Sequence, residues 1–130
     1  MMMPKYIEDD IVKYNDKIMV IKEPRDGSHF DLFCPQEGSV YCLVDVEEIK
    51  PIPITSEILE KNRWKKKMYC DWCHYLPIEG NILYLSKGIG IEGAFSVDVG
   101  QGMSHIACIS FVHQLQHLFF GFGLSSKMEV

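Results

Sequence analysis

From Ile106 to Phe120 the chain reads Ile-Ala-Cys-Ile-Ser-Phe-Val-His-Gln-Leu-Gln-His-Leu-Phe-Phe, and its apolar residues recur with a helical period. With Phe111 at zero and about 100° per residue, Leu115, Leu118, Phe119 and Phe122 share one apolar sector. His113, His117 and Phe120 point the other way. The expected element is an amphipathic helix over about 109–122, ended by Gly121, Gly123 and the polar tail from Ser125 to Val130. Such a helix needs a surface to cover its stripe.

That surface is expected to be β-sheet. Ile7 to Val12 and Ile18 to Lys22 read as strands around the turn Tyr14-Asn-Asp-Lys17, because Asn and Asp tolerate turn dihedrals and the flanks are β-branched. His29 to Cys34 and Val40 to Val46 follow, separated by the turn clusters Pro24 to Ser28 and Pro35 to Gly38. Turns at this spacing predict a small, curled, barrel-like sheet. Pro51 and Pro53 then enforce an extended crossing. Thr55 is a helix N-cap, with Glu57 in the first turn and a short helix through about Asn62. Beyond Trp64, six of the ten glycines fall between Gly80 and Gly102. They punctuate three to five further strands, of which Ile82 to Leu85 and Ala94 to Val99 are the clearest.

At 130 residues and 47% hydrophobic, the chain is long enough for one domain with its own core. A single domain over 1–130 is expected, with a β subregion over 1–50 and the helix, meander and terminal helix over 51–130. The net charge of −5 is uneven: residues 1–60 carry 6 basic and 13 acidic side chains, residues 61–130 carry 7 and 5. An acidic half disfavours nucleic acid as a general partner, since phosphate contacts need clustered cations. No apolar run approaches the roughly 18 residues of a membrane span, and the acidic opening lacks a signal-peptide core, so a cytoplasmic location without membrane contact is expected. Cys34, Cys42, Cys70, Cys73 and Cys108 are odd in number, which favours reduced thiols.

Three segments, Ile11 to Ile21, Ile49-Lys-Pro-Ile-Pro-Ile-Thr-Ser-Glu-Ile-Leu59 and Ile109-Ser-Phe-Val-His-Gln-Leu-Gln-His-Leu-Phe-Phe120, resemble a family of short proteins encoded by phages and prophages of gut bacteria. An opening hairpin, a Pro-Ile-Pro-Leu-Thr-Glu-Glu-type helix start and a closing Val-His-Gln-Leu-Gln-Asn-Leu-Tyr-Phe-type helix recur there in this order. Here Arg63-Trp64 stands where a Gly-Phe pair is usual, His117 stands where Asn is usual, and the ending after Phe120 is different. The resemblance implies a phage or mobile-element origin and brings no catalytic residues.

Several short patterns carry chemistry. Cys70-Asp-Trp-Cys-His74 has the form of a haem-attachment motif, but attachment requires an exported, oxidising setting. Cys70 and Cys73 with His113 and His117, four apart on one helix, form a candidate Cys2His2 zinc set; the plainer reading is a strand with two incidental thiols. Gly88-Ile-Gly-Ile-Glu-Gly93 matches the dinucleotide fingerprint but precedes a strand-like run, and so reads as a hairpin turn or bulge. Arg63, Trp64, Lys65 and Lys67, with Trp72 beyond, form the basic and aromatic cluster that suits a nucleotide or nucleic-acid ligand; the plainer reading is a solvated turn whose lysines protect a sheet edge. His105, Cys108 and His113 are close in sequence, so a Cys-His nucleophile is imaginable, yet the apolar run around Cys108 reads as core. His113, Gln114, His117 and Phe120 are the candidate partner contacts; the plainer reading of His113 is a structural hydrogen bond to a neighbouring strand or loop, and Phe120 is covered either by the sheet or by a second copy of the chain.

The expectation is therefore an α+β chain, mainly antiparallel, with a barrel-like N-terminal sheet, one short central helix, a second meander and the C-terminal helix packed across that meander. No acid, base and nucleophile stand at informative spacing, so a non-enzymatic binding protein is expected, with no resident cofactor. Its partner would be a host protein, in a counter-defence role for example, or a small ligand.

Overall fold

The computed structural model describes residues 6–68, 73–87, 93–100, 102 and 104–130. The chain divides into two compact units, unit 1 made of 1–52 with 111–128 and unit 2 of 53–110 with 129–130. Each is built on one antiparallel sheet of five strands.

In unit 1 the strands are β1 (Ile11–Tyr14), β2 (Lys17–Pro24), β3 (His29–Cys34), β4 (Ser39–Asp45) and β5 (Lys50–Pro51), in the order β4-β3-β2-β1-β5. Asn15 and Asp16, at φ 52° and 59°, form the two-residue turn that the sequence predicts between β1 and β2. Alternation then sorts the faces: Met19 and Ile21 are buried while Ile18 and Lys22 face solvent. With Tyr6, Val12, Phe30, Leu32, Cys34, Val44, Val46 and Ile49 they make the core of this unit.

Register shifts on both sides of β3 curl the sheet. Asp31 holds the bulge against β4. Its Oδ1 accepts the Leu43 N–H at 3.0 Å, and its Oδ2 takes the Arg25 guanidinium at 2.7 and 2.6 Å. The hydrogen bond from Arg25 keeps this buried carboxyl below the usual carboxylate range. The curl stops short of the expected barrel: β4 and β5 are the two ends of an open sheet. A strand of two residues ending at Pro51, with Pro53 following, offers too few N–H donors to close it. β1 also starts four residues later than expected, because Asp9 at φ 74° and the Asp10 N–H bonded to the Ile7 carbonyl at 3.1 Å fold residues 7–10 into a turn.

The terminal helix α2 spans Val112–Gly121 and belongs to unit 1, where it contacts β1. The expected docking across the second meander is therefore corrected. The buried stripe is Val112, His113, Leu115, Gln116 and Phe119, turned by about 90° from the expected sector. The cause is the helix ends. Phe111 and Phe122 are the N-cap and C-cap, so neither belongs to the face they were expected to share. Gly123 at φ 74° closes the helix, its N–H bonded to the Phe120 carbonyl and that of Leu124 to Phe119, the double bond of a Schellman ending.

Gln116, on the buried side, joins three backbone groups. Its Oε1 accepts the Ile11 N–H at 2.8 Å, and its Nε2 donates to the carbonyls of Asp9 at 2.9 Å and Ser126 at 3.0 Å. One carboxamide thus ties the start of β1 to the helix and to the tail beyond it.

Unit 2 opens with α1 (Ser56–Lys61), whose N-cap Thr55 accepts the Ile58 N–H at 3.2 Å as the sequence predicts. The strands β6 (Lys65–Lys66), β7 (Cys73–Ile78), β8 (Asn81–Lys87), β9 (Phe95–Val99) and β10 (Ser104–Ile109) follow in the meander order β10-β9-β8-β7-β6. Leu83, Leu85, Phe95 and Val97 are buried by alternation, and Leu59, Trp64 and Cys73 are buried as well. The turn read into Gly88 to Gly93 lies mostly outside the described residues. Among those described, no helix is long and apolar enough to cross a membrane.

Replacing Gln116 with Met keeps its length but strands one buried N–H and two carbonyls. The expected cost is about 3 kcal/mol in denaturant unfolding, and a loss below about 1 kcal/mol would contradict this role for the carboxamide.

Candidate functional site

A buried polar cluster of unit 1 forms where the turn over residues 6–10 meets α2. The Asp10 carboxylate, nearly sealed from solvent, accepts the Ile7 N–H at 2.8 Å and lies 2.8 and 2.9 Å from His117 Nε2. Burial still raises the Asp10 pKa, the two donors working against it. His117 Nε2 must carry a proton to donate into this carboxylate.

Around that pair the rings pack edge to face. Tyr6 lies 4.9 Å from His113 and 5.8 Å from Phe30, and His113 lies 5.6 Å from His117, while Phe111 stacks on His113 at 6.0 Å. His113 is 3% exposed, which corrects its expected place opposite the buried stripe. Burial first, and the His117 imidazole second, hold its pKa down to about 4. Burial and the Asp10 charge push Tyr6 up to about 12. Tyr6 Oη and His113 Nδ1 have no hydrogen-bond partner among the described residues. This cluster is an acid–imidazole clasp walled by aromatic rings.

The other candidate partner contacts sit differently. Gln114 Oε1 accepts the N-cap Phe111 N–H at 3.1 Å, so it serves the helix start. Phe120 is 71% exposed and Phe122 42%. Sequence reasoning passed over one surface feature, an open cleft of about 330 Å³ lined by Lys13, Tyr14, Asn15, Asp16, Glu48 and Lys50. Its lysines are cross-strand neighbours of β1 and β5, visible only once that pairing is known.

In unit 2 the basic and aromatic cluster is only partly brought together. Arg63 follows α1 at φ 72°, and Lys65 and Lys66 expose their side chains on the short strand β6. Lys67 Nζ stands 5.7 Å above the Tyr84 ring. Trp64 is 2% exposed and belongs to the core, so it offers no open face for stacking on a ligand. Trp72 and Cys70 lie outside the described residues.

Of the proposed zinc set, Cys73 is buried in β7 of unit 2 and accepts from the Ser86 hydroxyl at 3.4 Å, whereas His113 and His117 are engaged in unit 1 as described above. Among the described residues no three His, Cys, Asp or Glu side chains are grouped to hold a metal ion. His74 of the haem-like motif is buried, and desolvation lowers its pKa. Cys108, expected in the core, is exposed on β10. The apolar run around it is an edge strand, four of whose six residues face water.

Comparison with protein-family models, with curated proteins and with solved structures gives no match to this chain.

The His113 environment makes a pH prediction. The folded pKa lies below the ordinary value of 6.5, so on acidification the unfolded chain binds the proton first. The neutral ring's contribution is whole above about pH 6.5 and is lost progressively toward pH 4, amounting to about 3 kcal/mol. Asp10, shifted upward, acts in the opposite sense, and Tyr6 and His117 complete the surroundings, so the comparison is made against His113→Phe. Denaturant unfolding between pH 7 and pH 4 is expected to show a shallower fall in stability for this variant. Parallel curves for the two proteins would contradict the assignment.

Proposed function

We propose that the chain is a non-enzymatic accessory protein of phage or mobile-element origin that contacts a host protein in the host cytosol through the C-terminal end of α2. The observation that carries this reading is Phe120. Its ring is 71% exposed at the end of a helix whose buried side is filled by Val112, His113, Leu115, Gln116 and Phe119, and the exposed Phe122 stands two residues on. Aromatic side chains supply much of the binding energy of protein interfaces because they bury large area at low entropic cost. His117, half-buried one turn before Phe120, adds a polar rim held in place by Asp10. The origin and the counter-defence setting rest on the three-motif resemblance.

A small polar ligand is the second reading, supported by the cleft beside the β1–β2 turn, whose lining mixes the cations Lys13 and Lys50 with the carboxylates Asp16 and Glu48.

The test is capture from host lysate with the wild-type chain and Phe120→Ser, followed by affinity measurement with the purified partner. Phe120→Ser is expected to leave unfolding stability within about 0.5 kcal/mol and to weaken the partner at least about tenfold, a loss of about 1.4 kcal/mol. Unchanged affinity would contradict the reading. So would a dimer of the wild-type chain that the substitution splits, which would assign the ring to self-association.

A further inference from the structure

Four side chains on β9 and β10 of unit 2 form a relay ending in an exposed thiol. Ser96 Oγ donates to Asp98 Oδ1 at 3.2 Å, and its oxygen lies 2.8 Å from His105 Nδ1. The same Nδ1 is 3.3 Å from Asp98 Oδ1. With the serine proton directed to the carboxylate, the proton between Ser96 and His105 must sit on Nδ1. Nε2 is then the free lone pair. It lies 3.8 Å from Cys108 Sγ, within reach of a sulfur hydrogen bond.

This arrangement is made by the backbone. Residues three apart in a regular strand point to opposite faces, which would separate His105 from Cys108. A register shift between His105 and Ala107 inserts one residue, Ile106, and brings both onto one face. Across the ladder His105 pairs with Asp98 and Cys108 with Ser96, so all four side chains meet. Because Asp98 and Cys108 address opposite nitrogens of one imidazole, they do not converge on a single ion. The geometry is that of a base held by an acid and facing a nucleophile.

We propose that Cys108 is a reactive thiol, activated by His105 with Asp98 and Ser96 as positioning residues, whose co-reactant is a low-molecular-weight disulfide. The site is open among the described residues: the His105 side chain is 54% exposed, and Cys108 lies exposed on the outermost strand of the sheet. Such access suits a small, flexible disulfide and provides no grip for a larger substrate. In the reaction the thiol proton passes to His105 Nε2, and Cys108 sulfur attacks one sulfur of the disulfide. A protein–S–S–R bond forms as the original S–S bond breaks, and the leaving thiolate takes the proton from His105. The disulfide is the oxidant, and one free thiol is released for each Cys108 modified. This goes beyond the binding role proposed above and does not depend on it.

The test uses the full chain with oxidised glutathione at pH 7, with modification followed thiol by thiol through mass spectrometry of peptides. Cys42, also exposed but on β4 of unit 1, is the internal reference. The expected result is that Cys108 reacts at least about tenfold faster than Cys42, and that His105→Ala slows Cys108 by about tenfold without changing the Cys42 rate. Asp98→Asn, which preserves shape, is expected to slow Cys108 in the same direction. Equal rates at the two thiols, or a Cys108 rate indifferent to both substitutions, overturns the proposal.

Discussion

The carboxamide of Gln116 is the interaction on which unit 1 depends. It reaches the Ile11 N–H and the Asp9 carbonyl across more than a hundred residues of sequence, and the Ser126 carbonyl ten residues on. A buried polar side chain costs free energy unless it is satisfied, and this one is satisfied only when the first strand, the last helix and the tail are together. Apolar contact alone would let the helix slide along the sheet. Three directional bonds set its position, and the bond between His117 and Asp10, one residue further along the helix, fixes its rotation.

That clasp explains why the polar side of α2 was legible in composition but not in role. The helical period, the turn at Asn15-Asp16, the cap at Thr55 and the glycine-spaced meander are local properties, each stated by a few adjacent residues, and all are present in the structure. The face that α2 buries is not local. It depends on where the helix begins and ends and on a glutamine that finds its partners a hundred residues earlier. A rule that sorts residues by polarity assigns His113 to solvent, whereas the structure places it among Tyr6, Phe111 and His117. The missing barrel closure has the same origin, since a strand cut short by prolines and an edge without a partner are visible only after pairing is known.

The relay around Cys108 shows a further limit. An apolar run of edge strand resembles core until the sheet order is established, and the approach of His105 to Cys108 depends on one inserted residue that no spacing rule anticipates. The same ladder that hides such a site in the sequence makes it rigid in the fold. The exposed Phe120 follows the opposite logic: its helical position was readable, and only the docking of α2 decides that its ring faces water.

Native-state hydrogen exchange at the Ile11 amide tests the central claim most directly, because that amide has a side chain and not a strand as its partner. If Gln116 locks the helix to the first strand, the Ile11 amide exchanges only through global unfolding, with the same opening free energy as the Ile21 amide in the middle of the sheet. Exchange of Ile11 at the rate of a surface amide, while Ile21 remains protected, would contradict the account.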